Sequence, residues 1–330
     1  MKFATLKTSS RDGELLLVSR DLSCAVSAAS VAPNLQAALE DWDRLKSNLE
    51  ALYVALNAGH ARGVFAFDPA VVTAPLPRAY QFVDASAFLN HGDIMERAYN
   101  LTVKKMPGIP ILVQRQGDEF LGAHDDYPFP TEEDQCDFEG EFAVITGDIL
   151  MGSTPEAAAS QIRLVTIFND VSMRKHLFRE LSMGFGFINA KPAPAFGPVA
   201  VTLDELGNAW AGGRLALDMH VSRNGEWFGN PNGREMDWSF GELLAHLAYN
   251  RNLRAGTILG SGTISNHGYA QVGSACLAER RAIETIARGQ AQTSYIRFDE
   301  TLRFEAKDEA GGSIFGAIEH RFVKADCGNA

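Results

Sequence analysis

Paired cysteines, long hydrophobic runs and an excess of positive charge are all missing from this sequence. The four cysteines (Cys24, Cys136, Cys276 and Cys327) lie far apart in 330 residues and form no Cys-x-x-Cys motif, which argues against a zinc ribbon or a disulfide framework. No apolar stretch has the length of a signal peptide or a membrane span. The 30 basic and 41 acidic residues give a net charge of −11, which argues against nucleic-acid and polybasic membrane contacts. These absences predict a cytoplasmic, enzyme-sized protein with reduced thiols.

The composition that is present, 46% hydrophobic and 22% charged residues, is that of a globular protein with one large or two unequal domains. Near the N-terminus, Asp12 and Gly13 favour a hairpin between two short strands. Asn34 can cap a helix whose apolar residues keep helical spacing to residue 52. Three prolines in residues 68–78 predict a linker. The sequence therefore predicts a small N-terminal domain, residues 1–75, followed by a main domain, residues 76–330.

The main domain is predicted to be mostly strands with a few helices. Residues 215–221 alternate up to the turn pair Asn224-Gly225, and residues 295–306 and 313–323 flank another turn. Helices are expected after Thr154, after Ser239 with its capping-box partner Glu242, and over residues 277–288. Because the strands and helices do not alternate as in a Rossmann sheet, the predicted fold class is α+β, mainly β.

Residues 137–145, with the sequence Asp-Phe-Glu-Gly-Glu-Phe-Ala-Val-Ile, predict a strand that enters the core. Side chains two residues apart in a strand share a face, so Glu139 and Glu141 would have Cα atoms about 7 Å apart. Two neighbouring carboxylates repel each other, and a hard cation such as Mg²⁺ or Ca²⁺ would relieve that repulsion. The alternative is an exposed acidic edge strand that binds nothing.

Three further segments bring polar side chains to the ends of predicted strands. Asp170 follows an apolar strand and is either a site carboxylate or the cap of the next helix. Asp84 and His91 lie seven residues apart at a strand-to-helix transition, where a histidine can act as a general base, although most histidines are structural or exposed. The glycines of residues 259–265 let the backbone approach a ligand, to which Thr263 can form a hydrogen bond.

Together these segments resemble the fumarylacetoacetate hydrolase family in order and spacing. The resemblance covers about residues 81–289, and the preceding small domain suits the long, two-domain members. It implies a fumarylacetoacetase-like mixed β-sandwich roll. The matching motifs are Asp84 with His91 seven residues later, Glu139-Gly140-Glu141, Asn169-Asp170-Val171-Ser172-Met173-Arg174, Lys191, the loop of residues 261–265, and Gly273-Ser274.

The resemblance implies hydrolysis of a carbon–carbon bond in a 1,3-diketo acid, such as fumarylacetoacetate or an acylpyruvate. Such a reaction belongs to aromatic catabolism, including tyrosine degradation. It also implies one divalent cation, Mg²⁺ first and Ca²⁺ or Mn²⁺ as alternatives. The implied metal ligands are Asp84, Glu139, Glu141 and Asp170. The implied catalytic residues are His91, Glu279 and Lys191, and the implied substrate-binding residues are Arg174, Lys191 and Thr263.

The sequence departs from the family pattern at a few positions. Leu177 stands where the long members have a glutamine, which leaves the natural substrate open. Ile94 stands where the short members have a glutamate three residues after the histidine. Glu279 lies two residues later than a gapless match would place the acidic partner of the histidine, and it is the predicted partner of His91.

Two other functions remain alternatives. The same scaffold suits decarboxylation or keto–enol isomerisation of a 2-oxo acid, and a non-catalytic metal- or small-molecule-binding β module is the alternative from another class. Family members are commonly homodimers, so the resemblance implies a homodimer. The apolar side chains of residues 178–187 exceed what one helix and turn would bury, so they form either core or an exposed interface patch.

Overall fold

The computed structural model describes residues 1–100, 106–308 and 310–326. Cys327 lies outside the described residues, and the other three cysteines are free thiols. Within those ranges, no helix combines the length and the apolar character needed to cross a membrane. The strands are β1 (Lys2–Leu6), β2 (Glu14–Val18), β3 (Cys24–Ser27), β4 (Phe65–Ala66), β5 (Val72–Thr73), β6 (Phe82–Ala85), β7 (Leu112–Arg115), β8 (Tyr127–Phe129), β9 (Cys136–Asp137), β10 (Gly140–Thr146), β11 (Ile162–Asn169), β12 (Ser172–Met173), β13 (Ala195–Phe196), β14 (Ala200–Val201), β15 (Trp210–Ala211), β16 (Arg214–Leu215), β17 (Asp218–Arg223), β18 (Glu226–Gly229), β19 (Ile258–Gly260), β20 (Thr301–Lys307) and β21 (Ser313–Lys324).

Helices lie between these strands, and their local sequence explains several of their ends. The α-helices are α1 (Leu35–Glu40), α2 (Trp42–Asn57), α3 (Leu89–Tyr99), α4 (Pro155–Ala159), α5 (Arg174–Met183), α6 (Phe240–Leu247), α7 (Tyr269–Val272) and α8 (Leu277–Arg288). Asn34 caps α1, and Ser239 and Glu242 form the predicted capping box of α6. The predicted N-terminal helix is instead two helices, because Asp41 (φ −123°, ψ 33°) leaves helical geometry between α1 and α2.

A twelve-stranded sheet is the scaffold, with the main strand order β4-β3-β2-β1-β14-β11-β10-β19-β6-β7. Strand β1 pairs antiparallel with both β2 and β14, so the N-terminal strands continue the sheet of the rest of the chain. A five-stranded sheet has the order β18-β17-β20-β21-β8. This mainly β, mixed architecture confirms the predicted α+β fold class, whereas the division between residues 75 and 76 stays a prediction.

The large sheet separates two hydrophobic clusters, and strand alternation decides which side chain joins which cluster. On β10, Phe142 and Val144 join one cluster, while Ala143 and Ile145 join the other. The second cluster also contains the apolar side chains of α1 and α2, such as Trp42. We call the side of the sheet that carries Ala143 and Ile145 the α1/α2 face.

Two hairpins of the smaller sheet were predicted with different success. Asn224 (φ 54°) and Gly225 (φ 78°) make the predicted turn between β17 and β18. The C-terminal hairpin begins at Thr301 rather than at residue 295. The backbone carbonyls of Ser294 and Tyr295 accept hydrogen bonds from Arg223, and the N–H of Ile296 donates to the carbonyl of Cys136 at 2.9 Å, so separate contacts hold this segment in place of continuous strand pairing.

Candidate active site and metal centre

Three carboxylates meet where strands of the large sheet end. Asp84 lies in β6, Glu141 in β10, and Asp170 directly after β11. Each continues the alternation that places side chains such as Phe82 and Phe168 on the α1/α2 face. Because β6 and β11 flank the pair β10-β19, these strand ends are neighbours. One oxygen from each carboxylate lies within 4.8 Å of the other two.

All three carboxylates are buried, with 8% exposure for Asp84 and 0% for Glu141 and Asp170. Burial, and then the charge of Asp170, raises the pKa of Asp84 to about 7. Burial, and then the charges of Asp84 and Asp170, raises the pKa of Glu141 well above its usual range. Within the described residues, no hydrogen-bond donor reaches either oxygen of Glu141. Buried carboxylate oxygens without donors are costly, and a hard divalent cation would satisfy them, so this donor set fits such an ion.

Glu139 lies beside these three carboxylates but is paired with donors of the chain. Strand β10 begins one residue after Glu139, which therefore does not share the alternation of Glu141. Although burial alone would raise it, the charges of Lys191 and Arg174 hold the pKa of Glu139 well below its usual range. Its Oε1 accepts from Ser172 at 2.7 Å, Arg174 at 2.6 Å and Lys191 at 3.1 Å, and its Oε2 accepts from Thr263 at 2.6 Å. Glu139 is not in the group of three, and its role as a fourth ligand stays a prediction.

Lys191 connects Glu139 to the carboxylate group. Its Nζ lies 3.1 Å from Oε1 of Glu139 and 2.6 Å from Oδ2 of Asp170. Burial would lower the pKa of Lys191, but the charges of Asp170 and Glu139 outweigh burial and raise it. Lys191 therefore remains a cation in the site and balances part of its negative charge.

Arg115 belongs to the site although no sequence motif pointed to it. It ends β7, is 6% exposed, forms an ion pair with Asp170 and donates to the carbonyl of Pro192 at 3.3 Å. Its guanidinium lies over the ring of Phe82, its partner across the β6–β7 pair, at 5.3 Å. The available signal was a charged residue at the end of an apolar strand, which is the signal that identified Asp170.

Arg174 is fixed by a buried acid that anchors a helix. Asp137 accepts hydrogen bonds from the backbone N–H groups of Leu277 and Ala278, which begin α8. The Nε of Arg174 donates to Asp137 at 2.8 Å. Helix α5 begins at Arg174, so Asp170 does not cap it, and the alternative of a capping role is wrong.

His91 and Glu279 come together across two packed helices. His91 lies in the first turn of α3, and its Nδ1 is 2.9 Å from Oε2 of Glu279 in α8. The His91 side chain is 23% exposed, whereas that of Glu279 is 0% exposed. With Nδ1 bonded to the carboxylate, Nε2 is the nitrogen that can accept a proton from the cavity side. Ile94, at the position of the alternative acidic partner, is a buried core residue.

The glycine-rich loop after β19 closes on Asp84. The backbone N–H of Gly262 donates to Oδ1 of Asp84 at 3.2 Å. A Cβ at Gly260 would lie 2.4 Å from the same oxygen, and a Cβ at Gly262 (φ +81°) would lie 2.4 Å from the carbonyl of Ala85. Only glycines therefore allow this loop to approach the carboxylate and to present Thr263.

One cavity of about 580 Å³ opens on these groups. Its polar end contains charged and hydroxyl side chains of the site, and its other walls are mostly apolar. The polar lining includes Asp84, His91, Arg115, Glu139, Arg174, Lys191 and Thr263. The apolar lining includes Leu89, Met95, Ile111, Val113, Leu177, Phe178, Leu181 and Phe187. The structure thus brings Asp84 of the carboxylate group, His91 of the histidine–glutamate pair and the basic side chains of Arg115, Arg174 and Lys191 to the wall of one cavity.

Known proteins match this chain in sequence and in fold. Residues 1–78 match the family model described as fumarylacetoacetase N-terminal domain 2, and residues 81–323 match that of the fumarylacetoacetate hydrolase C-terminal domain. A 2,4-didehydro-3-deoxy-L-rhamnonate hydrolase of Sphingomonas sp. strain SKA58 is 26% identical over 161 residues, which cover 48% of this chain and 54% of that protein. The chain thus spans about half the length of this curated relative.

Two solved structures cover almost the whole chain. A protein described as a putative HpcE protein of Mycobacterium smegmatis is 18% identical, with a TM-score of 0.67 over 99% of this chain and 100% of that one. The maleylpyruvate hydrolase of Sphingobium sp. SYK-6, in complex with manganese(II) and pyruvate, is 15% identical, with a TM-score of 0.66 and the same coverage. At these identities the likeness concerns the fold.

Proposed function

This chain belongs to the fumarylacetoacetate hydrolase family, and on that premise we propose that it is a metal-dependent hydrolase of 1,3-diketo acids such as fumarylacetoacetate or an acylpyruvate. The observation that carries the proposal is one cavity that joins Asp84, from the carboxylate group, to His91, from the histidine–glutamate pair. A metal-binding module without activity would not need a histidine whose buried partner fixes its orientation. The same pair favours hydrolysis over decarboxylation, since it can take a proton from water.

Asp84, Glu141 and Asp170 are the residues that would hold the cation, with Glu139 as the predicted fourth ligand. Their oxygen donors suit Mg²⁺, Mn²⁺ or Ca²⁺, and the Sphingobium maleylpyruvate hydrolase was solved with manganese and pyruvate. A bound divalent cation supplies Lewis-acid stabilisation of negative charge on substrate oxygens.

The side chains of this protein would perform the proton transfers and bind the substrate. His91 takes a proton from the attacking water at Nε2, and Glu279 stabilises the imidazolium that forms. Lys191 and Arg174 lie where they can donate to a substrate carboxylate or to a developing oxyanion. Thr263, which also lines the cavity, adds a hydroxyl group.

The reaction balances without a further reactant. Water adds to the acyl carbonyl, the bond between that carbon and the neighbouring methylene breaks, and the electron pair moves into the enolate of the 2-oxo acid. For an acylpyruvate the products are a carboxylic acid and pyruvate, because the proton taken by His91 is returned to the enolate carbon.

The test is loss of the ultraviolet absorbance of acetylpyruvate, with product analysis, in Mg²⁺, Mn²⁺ or Ca²⁺ and in a chelator. We expect metal-dependent formation of equal amounts of acetate and pyruvate. Release of carbon dioxide would support the decarboxylase alternative, and absence of any reaction across a panel of diketo acids would support a binding module.

Finer features are proposed on the same basis. We propose that the substrate is a free small molecule and not a nucleic acid or a membrane component, that the protein works in the cytoplasm as a homodimer, and that residues 1–75 form a small domain beside the catalytic one. The net charge of −11, the separated cysteines and the two family-model matches support these points.

A further inference from the structure

The geometry points to an uncharged, apolar acyl group on the substrate, held by the outer part of the cavity. This inference rests on the proposed function, because it names the part of a diketo acid that lies beyond the carbonyl attacked by water. It separates alkyl or aryl acylpyruvates from substrates that carry a second carboxylate, such as fumaryl or maleyl compounds.

Two helices lead from the polar end of the cavity to its mouth. In α5, Arg174 contacts Glu139, and Leu177, Phe178 and Leu181 follow at helical spacing on the cavity side. Seven residues of helix advance about 10 Å, so this row extends well away from the carboxylates. Helix α3 carries a second row of side chains that line the cavity, which begins at His91 and continues through apolar residues.

The side chains at the mouth have unburied apolar surface for a ligand to cover. Phe178 is 47% and Leu181 is 55% exposed, although both line the cavity. An apolar chain bound against them would remove this surface from water, which is favourable in proportion to the area. A carboxylate at the same place would lose its hydration next to Leu177, which has no hydrogen bond to offer.

Three of the four cations that line the cavity are paired with buried carboxylates, whereas the Nε of the fourth, Arg281, has no hydrogen-bond partner among the described residues. Arg115, Arg174 and Lys191 form ion pairs with buried carboxylates of the site. The fourth, Arg281, donates to the carbonyl of Thr293, and its guanidinium carbon lies 4.2 Å from the ring centroid of Tyr295. Arg281 is therefore the one lining cation in the described residues without a carboxylate partner among the observed ion pairs, and the test must include it.

The first measurement compares two substrates that differ only at the tail, with Mn²⁺ present. In 7-methyl-2,4-dioxooctanoate the tail ends in an isopropyl group, and in 2,4-dioxoheptanedioate a carboxylate of nearly the same shape replaces it. We expect kcat/KM for the alkyl substrate to be higher by about tenfold or more. Equal values, or a preference for the dicarboxylate, would overturn the inference while leaving the proposed hydrolase intact.

The second measurement does not need turnover. Calorimetry compares binding of 7-methyl-2-oxooctanoate and 2-oxoheptanedioate, which lack the cleavable dicarbonyl, to the Mn²⁺-loaded protein. Tighter binding of the alkyl acid, by about tenfold, supports the inference even if no acylpyruvate is cleaved and the proposed function fails. Equal or weaker binding of the alkyl acid contradicts it.

Variants then test whether the side chains of the cavity wall cause the preference for one substrate tail. Leu177→Arg should reverse the tail preference, whereas Leu150→Arg, at a residue that is 70% exposed and not part of the cavity lining, should keep it. Arg281→Met should leave the alkyl substrate preferred. If Arg281→Met instead abolishes a preference for the dicarboxylate, Arg281 binds a second carboxylate and the inference is wrong. The calorimetric comparison on the unmodified protein remains decisive if Leu177→Arg does not fold.

Discussion

The Nδ1 atom of His91 lies 2.9 Å from Oε2 of Glu279, although the two residues are 188 positions apart in the sequence. The carboxylate is fully buried, and the helix that carries it begins at backbone groups held by Asp137. A buried carboxylate on one ring nitrogen fixes the tautomer and leaves the other nitrogen as a base. The geometry therefore suits general-base catalysis, and it makes the two residues a unit.

If the two residues act as a unit, removing either side chain should remove most of the rate acceleration that the pair provides. His91→Ala is expected to lower kcat for acetylpyruvate by about 10²–10⁴-fold. Glu279→Gln should also lower kcat, and the double variant should be close to His91→Ala alone. Steady-state kinetics at saturating Mn²⁺ would measure this, with the exposed Glu226→Gln as control.

Metal binding by the His91→Ala variant gives a second, independent test of the role assigned to His91. Because the imidazole is not proposed as a ligand, His91→Ala should keep the rise in melting temperature that Mn²⁺ causes in the unmodified protein. Loss of that rise would make His91 a metal ligand instead of a base.

Substitution by glutamine should change the stability of the metal-free protein in opposite directions at Glu141 and at Glu139. Glu141 has two buried oxygens without donors beside two other acids, so Glu141→Gln should raise the free energy of unfolding of the metal-free protein, by about 1 kcal/mol. It should also remove most of the thermal stabilisation by Mn²⁺. Thermal unfolding in a chelator and in Mn²⁺ measures both effects.

Glu139→Gln is the matched control, since it changes a carboxylate whose oxygens are fully used by donors of the chain. It leaves Lys191 and Arg174 without that charge partner, which should destabilise the metal-free protein by about 3–5 kcal/mol. Equal stabilities of the two variants in chelator would mean that the carboxylates are not paired as described.

The sequence predicted those parts of the site that local patterns determine. Asp84 and Asp170 lie at the carboxyl ends of apolar strands and Glu141 at the beginning of one, and such termini become neighbours once the strands pair. The start of α1 followed from Asn34, and the end of α8 at residue 288 from the following Gly289, because capping depends on a few adjacent residues.

What the sequence did not predict depends on pairing between distant segments. Arg115 reaches Asp170 only because β7 pairs with β6 at the sheet edge. Glu139 lies outside the carboxylate group because β10 begins after it, although an isolated strand would place Glu139 and Glu141 on one face. No local signal showed that β1 would join β14, which makes one sheet of two predicted domains.

Stability should depend on pH through His320, a buried histidine outside the active site. Its Nδ1 lies 2.8 Å from the carbonyl of Asp125, and burial lowers its pKa to about 4. Between pH 6.5 and 4 the unfolded chain binds a proton here and the folded chain does not. The free energy of unfolding therefore decreases as the pH is lowered, by about 2 kcal/mol from pH 7 to pH 5. His320→Phe should make this fall smaller, as measured by denaturant unfolding in a chelator. The exposed His60→Gln should keep it, and identical slopes in all three proteins would contradict the assignment.

Three apolar side chains after Arg174 that do not line the active-site cavity form an exposed patch and not core, which bears on assembly. Phe185 is 98%, Ile188 64% and Met183 62% exposed, and exposed apolar patches of this kind mark interfaces. We expect a homodimer that buries about 2,000 Å² in total through this region, so light scattering should give about twice the 35.9 kDa of one chain.

Phe185→Ser should shift the mass towards one chain without lowering monomer stability, because the ring has almost no contacts to lose. Val54→Ser, at a residue that is 66% exposed on α2, should leave the dimer unchanged. A mass near 35.9 kDa at every concentration of the unmodified protein would rule the dimer out.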